Sequence, residues 1–412
     1  MKRLPLIAML SAFALCFYGA VLSTSHADVT DDVASVASGN NAFAFDMYAQ
    51  LTASHSGNLF FSPYSISSAL AMTFDGARGQ TSSQMADAMQ FPFGRSRLNA
   101  AFSSLSGDLD SGGTVDGKQV YDLSLANSLW GQTGFPINPN FIQTLNQDYG
   151  AGLQTVDFTD ATTASNEINQ WVANETANKI QNLFSPGDFP AGTDMVLVNA
   201  IYFKGSWASE FDPTRTKQQT FYLDSQSTET VPTMRQDEDL AYAENSQTQI
   251  VEIPYVGYNL SMVIILPTDV DGLAALEANL TAGKLSRWMN AMSEYKVSLM
   301  LPKFKLNTAS DLTGPLQSLG MTDAFSIGAN FSGITPAPMF QLTKVVHDAY
   351  VNVDETGTEA AAATGVVGVV AVVITPPPTA VFRANHPFLF LIRDRSSGAI
   401  LFMGRVNDPN SN

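Results

Sequence analysis

Cysteine is almost absent from this chain. Only Cys16 occurs among the 412 residues, and it falls inside an N-terminal segment with the features of a targeting signal. If that segment is removed, the mature chain contains no cysteine, so no disulfide framework can stabilise it and its stability must come from core packing. No Gly/Ser/Pro-rich linker or change of composition divides the remainder. We therefore expect two parts, a signal peptide over 1–27 and one large domain over 28–412.

The N-terminal segment carries its only charges at Lys2 and Arg3, followed by an apolar run and then small residues up to Ala27. This order is typical of a secretory signal peptide. A permanent membrane anchor is disfavoured because the apolar run is short, and a lipoprotein signal is disfavoured because Leu15, the residue just before Cys16, is not small. We expect a secreted protein, extracellular or periplasmic, with no membrane attachment after signal removal.

Positive charge is scarce. The chain has 21 Lys and Arg against 38 Asp and Glu, a formal charge of −17 that becomes −19 once Lys2 and Arg3 are removed. The basic residues are scattered without a run of three. This distribution argues against a nucleic-acid partner and against a heparin site. The acidity fits a soluble protein, which we expect to be a monomer.

Histidine and enzyme motifs are also missing. The four histidines are His26, His55, His347 and His386, and the first would leave with the signal. The chain contains no GxSxG, HExxH or GxxxxGK[ST] motif and no metal-ligand spacing. A catalytic triad built on His55 is the open alternative, but the turn-like sequence around it favours a solvated loop histidine. We expect no enzyme activity, no cofactor and no metal.

What the chain does have is a long uncharged segment near its C-terminus. Residues 354–374 read DETGTEAAAATGVVGVVAVVI, and 360–374 carry no charge before the prolines at 376–378. Val and Ile favour extended structure, while Ala, Thr and Gly keep a strand thin. Outside a core such a segment is an aggregation hazard unless the protein uses it. A short transmembrane helix or an Ala-rich linker is the alternative, although a membrane helix needs about 20 apolar residues.

Strand alternation divides this segment into two faces. The face that contains no charge consists of Thr358, Ala360, Ala362, Thr364, Val366, Gly368 and Val370. The only acid of the run, Glu359, falls on the other face. The pattern therefore predicts a strand that can enter a packed sheet with its small, uncharged face inward.

Coarse patterning indicates an α+β chain. Residues 40–53 and 164–183 have helical spacing of apolar side chains, whereas 249–266 and 297–301 have the features of strands. Near the C-terminus, FLFLI and ILFM flank a turn at Ser396, Ser397 and Gly398, which predicts a buried hairpin.

Several long motifs resemble those of the serpin family, inhibitors of serine proteases, in that family's order. They are NLFFSPYSISSALAM (58–72), GARGQT (76–81), LANSLWGQ (125–132), LVNAIYFKGSWASEFDP (197–213), the GTEAAAAT segment, FRANHPFLFLI (382–392) and ILFMGRVNDP (400–409). The resemblance covers nearly all of the mature chain. It implies the serpin fold, in which a large central β-sheet and two smaller sheets are surrounded by helices and carry an exposed reactive-centre loop, here about 355–381.

The resemblance also implies three groups of residues that move during inhibition. The hinge of the loop is Gly357, Thr358, Glu359, Ala360, Ala361, Ala362, Ala363 and Thr364. The shutter, a polar cluster that must part to admit the loop, is Ser62, Ser65, Asn199 and His347. The breach, where insertion starts, is Trp207, Lys303 and Glu355, although an ordinary surface ion pair is the alternative for the last two.

In the family, a protease cuts the loop and is trapped as an acyl-enzyme while the loop inserts as a new strand. The family's spacing from Gly357 places the reactive bond between Ala371 and Val372, with Val370, Val372, Val373 and Ile374 as competing positions. Because every candidate is small or aliphatic, we expect an elastase-type or subtilisin-like target. The alternatives are a non-inhibitory member that binds or stores, and an inhibitor of a cysteine protease.

Overall fold

A computed structural model describes residues 11–115, 117–358 and 377–411, with side chains described from residue 30. In this part of the chain the α-helices are α1 Ser11–Ser54, α2 Pro63–Gly76, α3 Gly79–Ala88, α4 Arg95–Gly112, α5 Pro139–Asp148, α6 Ala161–Glu175, α7 Leu273–Glu277, α8 Ala282–Ala291 and α9 Thr313–Ser318. Short 3₁₀ turns occupy Pro186–Asp188, Pro213–Arg215 and Asp323–Phe325. None of the described helices is long and apolar enough to cross a bilayer.

Polar residues begin several of these helices. The Ser62 side chain accepts a hydrogen bond from the Ser65 amide at the start of α2, and Pro63 occupies the first helical position. Asn138 with Pro139 repeats this arrangement at α5. Such residues satisfy amides that the first turn of a helix leaves unpaired.

The described strands are β1 Leu59–Phe61, β2 Thr114–Val115, β3 Lys118–Gln119, β4 Tyr121–Gln132, β5 Leu153–Val156, β6 Met195–Ser206, β7 Lys217–Tyr222, β8 Thr228–Glu244, β9 Thr248–Pro254, β10 Leu260–Pro267, β11 Ser293–Pro302, β12 Phe304–Asp311, β13 Leu342–Val353, β14 Gly357–Thr358, β15 Thr379–Arg383, β16 Phe388–Asp394 and β17 Ile400–Val406. They form sheets of nine, six and two strands. The nine-stranded sheet runs β1-β17-β16-β10-β9-β8-β11-β15, with β7 also paired to β8, and the six-stranded sheet runs β12-β13-β14-β6-β4-β5. The expected α+β class is confirmed.

The six-stranded sheet is covered on both faces. One face packs on the main core, to which β13 contributes Val345 and Ala349. The other face packs under α6 and the segment that follows it, where Ile168 and Phe184 meet Val346 of β13. Neighbouring residues of β13 therefore lie in two different hydrophobic layers.

Most of the predicted elements are present, with two corrections. Residues 40–53 are helical within α1, 297–301 lie in β11, and β16 and β17 pair as the expected hairpin. The prediction of a helix over 164–183 was wrong at its C-terminal end, because α6 stops at Glu175. Ala177 and Asn178 have φ values of +49° and +62°, which a right-handed helix does not permit. The predicted strand over 249–266 is two strands, β9 and β10, separated by a turn.

Candidate functional site

The seam between β6 and β13 is the part of the six-stranded sheet around which the predicted site residues lie. These strands pair in parallel from Met195 and Leu342 up to Tyr202 and Tyr350. Beyond that point they separate, and β14 lies between them. The C-terminal ends of β6 and β13 thus frame a cleft that is closed below, where the two strands pair, and occupied above by the two residues of β14.

The two residues of β14 are the first two positions of the predicted hinge. Thr358 pairs with Val353 on one side and Gly205 on the other, in antiparallel fashion. Its side chain is fully buried, and its Oγ1 shares a 2.7 Å hydrogen bond with the Tyr255 hydroxyl. The start of the loop therefore already occupies the top of the cleft. The other predicted hinge positions, 359–364, lie outside the described residues.

The predicted breach residues hold the turn that leads into β14. The indole Nε1 of Trp207 donates to the Asp354 carbonyl at 2.9 Å, and its amide donates to the Thr356 carbonyl at 3.0 Å. The Trp207 ring also stacks on Tyr255 with 4.7 Å between centroids. These contacts join the turn to the end of β6, so they must rearrange if the hinge moves further into the sheet.

Lys303 and Glu355 form an ion pair at the same turn. Lys303 Nζ lies 2.6 Å from Glu355 Oε2, and Thr216 donates to the other oxygen at 2.8 Å. Partial burial alone would raise the pKa of Glu355, but these hydrogen bonds hold the pKa below its ordinary value. The Glu355 side chain is 13% exposed and that of Lys303 36%. The pair is thus a half-buried contact of the turn, and the backbone carbonyl of Glu355 also accepts a hydrogen bond from the Phe211 amide.

The structure brings all four predicted shutter residues together under the seam. The Ser62 amide donates to His347 Nε2 at 2.9 Å, and its hydroxyl donates to the Leu401 carbonyl at 2.5 Å. Through Nδ1, its other ring nitrogen, His347 contacts Asn199 Oδ1. The Asn199 amide nitrogen donates in turn to Ser65 Oγ at 2.6 Å. The cluster therefore connects α2 to both strands that border the seam.

The hydrogen bonds determine the state of the His347 ring. Because Nε2 accepts a backbone N–H, the proton must be on Nδ1, from which it is donated to Asn199. The imidazole is fully buried, and this burial lowers its pKa to about 3. His347 is thus neutral in the folded protein and acts as a rigid bridge across the seam.

On the opposite face of β13, Asp348 is a buried carboxyl without a full set of partners. It lies in the apolar layer beneath α6, with Ala200 of β6 and Ala309 of β12 as its register neighbours. The residue is 3% exposed, and its Oδ1 has no hydrogen-bond partner. Burial raises its pKa to about 6, despite a backbone hydrogen bond that favours the charged form. A carboxylate in this position destabilises the closed sheet at neutral pH.

Two residues of the site were not predicted from the sequence. Asn127 of β4 accepts from the Ser65 hydroxyl at 3.1 Å and contacts Asn199, which extends the shutter by one strand. Its amide side chain within the LANSLWGQ motif, which the sequence already singled out, is the signal that could have found it. Tyr255, which contacts both Trp207 and Thr358, carried no such signal because it lies in a run read as continuous strand.

Some predicted sites cannot be placed. The reactive bond Ala371–Val372 lies outside the described residues. Among the described side chains, no three His, Cys, Asp or Glu converge in a way that could hold a metal ion. His55, the histidine considered for a triad, is exposed, and its Nδ1 lies 3.0 Å from Ser54 Oγ of the preceding residue.

Comparison with known proteins agrees with this geometry. The family model described as Serpin (serine protease inhibitor) matches residues 38–409. Leukocyte elastase inhibitor from Bos taurus is 41% identical over 380 residues, which are 90% of this chain and 98% of that protein. A serpin-like protein of Methanosarcina acetivorans is 38% identical over 91% of this chain and 86% of its own length. The crystal structure of uncleaved ovalbumin superposes with a TM-score of 0.81 at 32% identity, covering 91% of this chain and all of ovalbumin. The expected serpin fold is confirmed, and the chain belongs to the serpin family of serine protease inhibitors.

Proposed function

We propose that this protein is a secreted, monomeric suicide-substrate inhibitor of an elastase-type or subtilisin-like serine protease. The observation that carries the proposal is the position of β14. Gly357 and Thr358 already fill the top of the cleft, while the seam below is held by side chains that can exchange partners. The name of the bovine relative, an inhibitor of leukocyte elastase, supports the choice of target class.

The register of β14 predicts what a cleaved loop would do. If the pairing of Gly357 with Ser206 and of Thr358 with Gly205 continued downward, Thr364 would lie between Asn199 and His347. Its hydroxyl could then bond to the shutter in place of a contact across the seam. Strand β6 has 12 residues, so it can pair with the loop as far as Gly368.

The energetic direction also favours insertion. The parallel pairing between β6 and β13 would be replaced by two antiparallel pairings, one on each side of the inserted strand. Antiparallel pairing is slightly more stable for each residue than parallel pairing. Each added hydrogen bond contributes about 1 kcal/mol. A protease still joined to the loop would move with it, and distortion of its active site would stop deacylation. The chain itself would catalyse no reaction.

The test is to mix the mature protein with pancreatic elastase and, separately, with a subtilisin. We expect a covalent complex on a denaturing gel, and the first residue of the released peptide would identify the cut bond, expected to be Val372. Thr358→Arg is the matched control. A charged side chain at this fully buried position would prevent the loop from inserting into the sheet, so the protease should cleave the variant without forming a complex.

The experiment also separates the alternatives. Cleavage of the unmodified protein without a complex by these enzymes and a wider protease panel would refute inhibition and leave a non-inhibitory binding or storage role. A complex with papain but not with the serine enzymes would assign a cysteine-protease target. Secretion is tested by N-terminal sequencing of protein from the culture medium, where Asp28 is the expected first residue.

A further inference from the structure

A line of polar side chains crosses four strands of the six-stranded sheet at one level. The register places Asn127 of β4 opposite Asn199 of β6, and Asn199 opposite His347 of β13. On the other side of β13, His347 lies opposite Ser310 of β12. Residues directly opposite each other in neighbouring strands point to the same face of a sheet. We call these four residues the polar row, and they share the face that bonds to α2.

Three members of the polar row contact each other, and the fourth does not. Asn199 Nδ2 contacts Asn127 Oδ1, and Asn199 Oδ1 contacts His347 Nδ1. His347 Nε2 accepts from the Ser62 amide at 2.9 Å, so both ring nitrogens are engaged. Ser310 is 6% exposed, and its Oγ is buried with no hydrogen-bond partner among the described residues. Such a group requires an explanation, because buried polar atoms in proteins nearly always have a partner.

The position of Ser310 makes it a second partner for His347. The ring lies between Asn199 on one side and Ser310 on the other. Directly opposed residues of an antiparallel pair have Cβ atoms about 4.5 to 5.5 Å apart, which is within reach of a side-chain hydrogen bond. A turn of the imidazole about its Cβ–Cγ bond moves Nδ1 from the β6 side to the β12 side. The Nδ1 proton would then be donated to Ser310 Oγ, whose lone pairs are free to accept it.

The two neighbours of β13 hold it by different pairings. Strand β12 pairs with β13 in antiparallel fashion over eight residues, whereas β6 pairs with it in parallel. Parallel pairing is slightly less stable for each residue. If the sheet admits a strand, as the proposed function requires, the separation occurs between β6 and β13, because β14 already lies between them. Ser310 therefore stays beside His347 when Asn199 moves away.

From these observations we propose that Ser310 is a positioning residue for loop insertion, whose hydroxyl accepts the His347 Nδ1 proton while the seam is open. The inference rests on the proposed inhibitory function. An unpaired hydroxyl raises the free energy of the closed sheet, and a paired imidazole lowers that of the open sheet. Both effects favour opening. Since inhibition requires insertion to precede deacylation, Ser310 favours trapping of the protease over simple cleavage of the loop.

The test follows hydrogen exchange by mass spectrometry in the unmodified protein and in Ser310→Ala, and it needs no protease. Opening of the seam exposes amides of β6 and β13, which are measured in peptides covering 195–206 and 342–353. We expect exchange in these peptides to be about fivefold slower in Ser310→Ala. This factor corresponds to about 1 kcal/mol, the typical net contribution of one hydrogen bond. A peptide covering 260–267, which is β10 of the other sheet, should exchange at the same rate in both proteins.

Ser67→Ala is the matched control. The Ser67 hydroxyl is likewise buried with no partner in the described part of the chain. It lies two positions after Ser65 on α2, so it is on a different side of the helix from the bond between Ser65 and Asn199. Its removal should leave exchange at the seam unchanged.

Ser310→Thr and Ser310→Val separate the hydroxyl from the shape of the side chain. Threonine and valine have nearly the same shape, but only threonine carries a hydroxyl. We expect the threonine variant to exchange at the rate of the unmodified protein and the valine variant about fivefold more slowly. This pair also decides the question if Ser310→Ala does not fold.

Equal exchange at the seam in the unmodified protein and Ser310→Ala would overturn the proposal, as would equal rates in the threonine and valine variants. The second readout is the number of inhibitor molecules consumed for each elastase molecule inactivated. Its excess over one should rise about fivefold in Ser310→Ala and return to the original value in Ser310→Thr. If the unmodified protein is cut without forming a complex, the proposed inhibitory function fails, whereas the exchange rates still decide whether Ser310 acts on the opening of the seam.

Discussion

Asp348 allows a quantitative prediction about the pH dependence of stability. Its folded pKa is about 6, against an ordinary value of 3.8, because the carboxyl is buried under α6 with Oδ1 unpaired. The folded state therefore binds a proton that the unfolded state has already lost between these two pH values. Stability contributed by the protonated form is fully present below about pH 3.8 and is lost as the pH rises through 6.

The size of the effect follows from the shift. About two pKa units correspond to roughly 3 kcal/mol, because each unit is worth about 1.4 kcal/mol. With an unfolding entropy of about 2.1 cal/mol/K for each of about 385 mature residues, this free energy corresponds to about 4 °C in melting temperature. Replacing Asp348 by Asn removes the titration and keeps the shape. We therefore compare the melting temperature of Asp348→Asn with that of the unmodified protein at each pH. The difference, variant minus unmodified protein, should rise by about 4 °C between pH 4 and pH 7.5, because only the unmodified protein loses stability as Asp348 ionises.

The difference between the two proteins is the quantity to measure, because the adjacent residue acts in the opposite direction. Burial lowers the pKa of His347 to about 3, so its contribution to stability rises with pH between about 3 and 6.5. The two effects oppose each other in the unmodified protein and cancel only in part. Subtraction removes the His347 contribution.

The assay is thermal unfolding followed by circular dichroism at one scan rate, in steps of half a pH unit. Asp108→Asn, which removes an exposed carboxyl of α4, is the control for the loss of one negative charge. An Asp348→Asn difference that does not change with pH would refute the reasoning, since it would show that the carboxyl has the same proton affinity in both states. A rise that occurs between about pH 4 and pH 6 and levels off above it would support the reasoning.

Three further substitutions test the hinge and the shutter. Gly357→Ala should displace β14, because at the φ of +155° an added Cβ would lie 2.1 Å from the Gly205 carbonyl oxygen. The displacement should appear as faster hydrogen exchange of the Trp207 amide. Gly94→Ala, where an added Cβ has open space, should leave that exchange rate unchanged. Tyr255→Phe should leave the buried Thr358 hydroxyl unpaired, at a cost of about 1 to 3 kcal/mol in stability. Limited proteolysis between residues 354 and 358 should therefore become faster. Tyr258→Phe, a change at an exposed site, should leave that rate unchanged. His347→Gln should remove the bridge across the seam and speed the spontaneous loss of inhibitory activity at 37 °C. Equal rates of this loss in the variant and the unmodified protein would argue against a shutter role.

Much of the candidate site could be predicted from sequence because it is encoded in local patterns and motifs. The uncharged alternation around Thr358 indicated a strand with an inward face, and the structure buries that side chain. The four shutter residues were identified by their place in motifs, and they meet under one seam. The helix over 164–183 was overextended because apolar spacing continued beyond Glu175 into a segment that packs on the sheet without helical backbone.

The sequence by itself determined the class of fold and the family, and it predicted which segment can enter a sheet, since these depend on periodicity, side-chain size and the order of motifs. Only the tertiary structure decided that Asp348 is buried without a full set of partners and that Tyr255 holds Thr358. Each of these depends on strand register and on contacts between residues far apart in the chain. Burial, pKa and surface charge arise from those contacts, which no local pattern specifies.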